Sequence, residues 1–116
     1  MSRFIDARIE LVFVADPASA APTDALLREG QGPASPASDW FQPDPATTHP
    51  AGCACCARRN AAALALSRLL LARGRGHAAP FRRVVAIVHT EAARAALLSA
   101  LAEDPIASSC FRQVHL

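Results

Sequence analysis

Two short apolar runs set the architecture of this 116-residue chain. Residues 9–15 (IELVFVA) and 84–88 (VVAIV) are rich in β-branched residues and too short for buried helices, so they read as buried strands. Between them, residues 57–73 repeat alanine and leucine at helical spacing, with Ala62, Leu66, Leu69 and Leu70 on one face and Gly74 and Gly76 as stop signals. A strand, a helix and a second strand in that order form a crossover, and crossovers through helices make parallel sheets.

The flanking segments extend this pattern. Thr23-Asp24, preceded by Pro22 and followed by Gly30, reads as the cap of a short helix running to Arg28. Residues 30–52 hold five prolines among Ser, Thr, Asp and Ala, and predict a long mobile loop that Trp40-Phe41 either anchors or crosses as a brief edge strand. Thr90 caps a helix with Glu91 in its first turn and Ala93, Leu97 and Leu101 in its apolar row. Asp104-Pro105 closes that helix and opens one more turn over residues 106–110, and residues 114–116 begin a strand. The expected fold is a small three-layer α/β domain spanning residues 1–116, with a mostly parallel sheet of three to four strands. Its exposed sheet edge invites a client protein or a homodimer mate.

Composition narrows the function. All twelve basic residues are arginine, so chemistry that needs a lysine, such as a phosphate-loop ammonium or a Schiff base, is excluded. Net charge is +2, acids are interspersed with arginines, and six aromatic residues are few for stacking bases, so nucleic acid is not an expected partner. Arg3, Asp6, Arg8 and Glu10 interrupt the region where a signal peptide needs an apolar core, and no run reaches membrane-spanning length. The expectation is a cytoplasmic protein with no membrane partner.

In a reducing compartment, clustered cysteines point to metal rather than to a disulfide framework. Gly52-Cys53-Ala54-Cys55-Cys56 supplies three thiols within four residues, and sulfur ligands select zinc or another soft cation. A turn at Gly52 would let the three sulfurs converge, and a helix starting near Ala57 would lower their pKa values. Tetrahedral zinc needs a fourth ligand, for which His49 and His89 are candidates, with His77, water or a partner chain as alternatives. Cys110, among Ile106 and Phe111, reads as a core thiol.

The string Gly52-Cys53-Ala54-Cys55-Cys56, its arginine-bearing leucine-rich helix, Phe81-Arg82-Arg83-Val84-Val85 and residues 104–112 (DPIASSCFR) together resemble the CobW-type branch of P-loop GTPases, over a little more than half of the chain. The resemblance implies a truncated P-loop NTPase-like fold and a metallochaperone role. It places zinc or cobalt on Cys53, Cys55 and Cys56, with GTP driving metal transfer in that family. The chain departs from the family where nucleotide would bind. Residues 16–23 (DPASAAPT) stand in place of a glycine-rich loop ending in lysine and threonine, and residues 86–90 (AIVHT) lack the acidic residue expected after the second strand. The expected function is therefore non-catalytic metal holding, with delivery of metal or regulation of a full-length relative. A GTP-binding domain with an atypical loop and an adaptor with packed cysteines are the alternatives.

Overall fold

A computed structural model describes residues 7–43 and 59–115. Five strands, β1 (Ile9–Val14), β2 (Ala25–Glu29), β3 (Ser38–Phe41), β4 (Arg83–Ile87) and β5 (Phe111–Gln113), form one sheet in the order β3-β2-β4-β1-β5. Every pairing is parallel. Three helices, α1 (Ala61–Gly74), α2 (Glu91–Glu103) and α3 (Pro105–Cys110), join the later strands, and a 3₁₀ turn (Pro17–Ser19) lies between β1 and β2.

The strand order explains the layering. From β1 the chain steps across β4 to β2 and then outward to β3, whereas β3 to β4 and β4 to β5 step the opposite way. Crossovers of a single hand then put the helices on one face of the sheet and the two early connections on the other. The packing agrees. Ile9, Leu11, Ala25, Leu27, Val84, Ala86 and Phe111 meet Ala62, Leu66, Leu69, Leu97 and Ala107 of the helices in the main core. Val12, Val85 and Ile87 form a smaller cluster on the other face, where Ala20 of the first connection packs. The fold is thus α/β with a helical layer, a sheet and a thin layer of non-helical connections.

Capping chemistry places the helices. Asn60, Thr90 and Asp104 each hold an extended backbone and accept a hydrogen bond from the amide three residues on, at Ala63, Ala93 and Ala107. Helix α1 therefore begins at Ala61, later than the alanine pattern suggests. It ends where Gly76, at φ +77, lets the amides of His77 and Ala78 fold back to the Ala72 carbonyl.

Three expectations are corrected. Residues 25–29 are a strand instead of the end of a short helix: Ala25 and Leu27 alternate into the core, and the Asp24 carboxylate accepts from the amide behind it, Ala21, and from Arg83. The edge strand at Trp40-Phe41 exists and pairs with β2, so the sheet has five strands, not three or four. The last strand begins at Phe111, whose buried ring sits beside Ile9, and not at Val114.

Candidate functional site

In open α/β sheets, ligands bind beyond the carboxyl ends of the strands, where neighbouring loops leave in opposite directions. Here that place lies at the end of β4, beside its neighbours β1 and β2. The loop after β1 turns toward β2, and the loop after β4 enters α2 and turns toward β5.

The first of these loops has used its own donors. Asp16 caps the 3₁₀ turn by accepting from the Ala18 amide at 2.9 Å. The amides of Ser19, Ala20 and Asp24 donate to the carbonyls of Asp16, Pro17 and Ala21, and the Ala21 amide donates to Asp24 Oδ2. Pro17 and Pro22 have no amide hydrogen. An anion cradle needs several convergent free amides, and from 17 to 24 only the Thr23 amide has no donation among these contacts.

The second loop is occupied by a carboxylate of the chain itself. Glu29, the last residue of β2, accepts from the His89 amide at 2.6 Å and the Thr90 amide at 3.0 Å through Oε1, and from the Thr90 hydroxyl at 2.8 Å through Oε2. The His89 amide, assisted by both Thr90 donors, holds the Glu29 carboxyl below its ordinary pKa against a smaller opposing effect of burial. The His89 side chain is exposed at this end of the sheet, as are His77 and His115 elsewhere. Among the described residues no three His, Cys, Asp or Glu side chains group as a metal site. His49, Cys53, Cys55 and Cys56 lie outside the described residues. Cys110 is a free, half-buried thiol packed against the main core.

Helix α1, which follows the cysteine motif in sequence, is firmly seated at its start. Arg59 donates through Nε to Asp104 Oδ1 at 2.7 Å and through Nη2 to Oδ2 at 2.9 Å, and Nη2 also donates to the Ser67 hydroxyl. Asp104 is 8% exposed and simultaneously caps α3. The Arg59 bonds hold its carboxyl below its ordinary pKa despite burial. Asn60 adds a bond from Nδ2 to the Ala96 carbonyl of α2 at 2.9 Å. Beside this helix start, a cleft of about 360 Å³ runs along the β3 edge between Gly32, Trp40, Gln42, Ala61, Leu64 and Arg68. Its wall is fixed. Arg68 pairs with Asp39 at 2.6 Å, the Trp40 indole donates to the Pro33 carbonyl, and Arg28 lies 4.8 Å from the ring centroid. A Cβ on Gly32 would stand 2.5 Å from the indole, so the ring requires glycine there.

Three of the arginines serve the fold. Arg59 binds Asp104, Arg83 binds Asp24 at 2.6 Å, and Arg73 donates to the Phe81 carbonyl at 2.7 Å. Sequence reasoning identified Asp104 as a cap and missed its ion pair. It had no signal for Glu29, whose partners lie sixty residues away.

Among the described residues no helix is long and apolar enough to cross a membrane. No protein-family model, no curated protein and no solved structure matches the chain.

Proposed function

We propose that this chain is a CobW-like metal-binding protein of the cytoplasm. It holds zinc or cobalt as cargo on Cys53, Cys55 and Cys56, and acts in metal delivery or in regulating a CobW-type relative without hydrolysing nucleotide. The observation that carries this reading is the contrast between a complete thiol motif in the sequence and the self-satisfied connection after β1. Three sulfur donors suit a soft transition metal, whereas the loops at the head of the sheet do not fit a nucleotide's phosphates. Seven amides of residues 17–24 and 89–90 are taken, the chain has no lysine, and Asp16 and Glu29 put negative charge where phosphate would lie. The anchoring of Arg59 and Asn60 supports the reading in a second way, since it gives the chain just after the motif a fixed end.

The test is a cobalt titration of the reduced protein. A thiolate-to-cobalt charge-transfer band that saturates at one equivalent, and is lost in the Cys53→Ser, Cys55→Ser, Cys56→Ser triple variant, is the expected result. Absence of the band, or unchanged affinity in the triple variant, overturns the reading. Tight binding of a labelled GTP analogue that is lost on changing residues 16–23 would favour the GTP-binding alternative. His89→Ala and His49→Ala, read by the same band, test whether either histidine, rather than His77, water or a partner chain, completes the metal's coordination.

A further inference from the structure

At the opposite, amino end of the sheet the described residues enclose a second cleft, of about 320 Å³, between the starts of β1, β4 and β5 and the last turn of α1. Arg8, Arg73, Arg82 and Arg112 line it with a single acid, Glu10. Glu10 faces Arg83 and Arg112 across the sheet, 3.6 Å from the latter, so its charge is already shared. Arg83 is in turn held by Asp24.

Two of the remaining cations, Arg73 and Arg82, have donors left over among the described residues. Arg73 uses Nε on the Phe81 carbonyl, with its guanidinium 5.6 Å from the Phe81 ring centroid. Arg8, at the rim, donates through Nη1 to the Ser108 carbonyl at 3.3 Å. The Arg82 side chain is exposed and makes no hydrogen bond or ion pair among the described residues. The nearby end of α1 adds little negative potential, because the Leu71, Ala72 and Arg73 carbonyls each accept a backbone amide. Like charges gathered in a concave site repel one another unless an anion neutralises them, and the guanidinium fork matches the oxygens of a phosphate.

We propose that this cleft binds a small phosphate-class anion carrying two or more negative charges. Its volume corresponds to about ten waters at ~30 Å³ each, room for a short phosphate chain. No aromatic side chain lines it, so it offers no stacking platform for a base. The proposal stands apart from the thiolate reading, since it uses the other end of the sheet and none of the cysteines.

The probe is inorganic pyrophosphate, titrated calorimetrically at low salt into the full chain and into the cysteine triple variant. Saturable binding at one equivalent in both proteins is expected, weakening as salt is raised. Arg82→Glu should reduce affinity by roughly tenfold or more, and Arg82→Gln by less, while Arg75→Glu, an exposed arginine outside the cleft, should change it less than about twofold. Circular dichroism confirms that each variant folds. No saturable binding, equal loss in the Arg82→Glu and Arg75→Glu variants, or citrate binding as tightly as pyrophosphate overturns the proposal. ADP binding roughly tenfold more tightly than pyrophosphate overturns the exclusion of a base.

Discussion

The two ends of this sheet treat negative charge in opposite ways. At the carboxyl end, the chain supplies its own carboxylates to backbone amides: Asp16 to the 3₁₀ turn and Glu29 to the two amides that precede α2. In the cleft at the amino end, four guanidinium groups surround one shared carboxylate among the described residues. Parallel α/β folds ordinarily receive anions at the carboxyl end, where amides and helix dipoles converge. Here that end is neutralised from within, and the capacity for anions rests on side chains at the other end. A fold therefore fixes where amides converge, but individual side chains decide whether a ligand can use them.

Substitutions can break this comparison at graded cost. The largest effect is expected at Asp104, which repeats the carboxylate-on-amide arrangement in a nearly buried place. Asp104→Ala removes the ion pair of Arg59 and uncaps α3, and should lower unfolding free energy by about 2 to 3 kcal/mol in urea melts. Asp104→Asn, which keeps a capping acceptor, should lose less.

Acid should act on the same groups together. Asp104, Glu29 and Asp24 all have folded-state pKa values below their ordinary 3.8 to 4.5. For Asp24 burial is the largest single influence and raises the value, but the Arg83 bond, the Ala21 amide and the Arg83 charge together outweigh it. A depressed carboxyl pKa contributes stability that is present above the unfolded-state value and is lost as pH falls through the folded-state value. The urea midpoint should therefore respond little to these groups between about pH 7 and 5 and fall below about pH 4, less steeply in Asp104→Asn.

Glu29→Ala should cost about 1 kcal/mol, the usual loss of a charged acceptor at a helix start, and hydrogen exchange should quicken at the His89 and Thr90 amides. The smallest effect belongs to the amino end. Arg82→Ala should leave stability within about 0.5 kcal/mol of the parent, because that guanidinium makes no hydrogen bond or ion pair among the described residues. A larger loss would show that the charge there is structural.

Local signals in the sequence located most of the fold. Thr90, Asp104 and Pro105 sit where capping chemistry places them, and both apolar runs are central strands. The error at residues 23–28 has a physical cause. Five residues with apolar side chains at 25, 26 and 27 satisfy both a strand and a helix period, and the deciding contact, Asp24 with Arg83, spans 59 positions. The amino-end cleft was hidden for a related reason, because Arg8, Arg73, Arg82 and Arg112 come from four separate elements or their flanks. The Glu29 clamp was equally invisible, since nothing near Glu29 in the chain reveals that it meets His89.

The position of β1 has a consequence for the order of assembly. It comes first among the described strands, yet it pairs with β4 and β5, which begin at Arg83 and Phe111. Its hydrogen-bonding edges must wait for most of the chain, and the closure of such long loops makes folding slow compared with a helical bundle of the same size. During synthesis the IELVFV segment leaves the ribosome with neither neighbour yet formed, a stretch of apolar strand that chaperones or self-association can capture before the centre of the sheet closes around it.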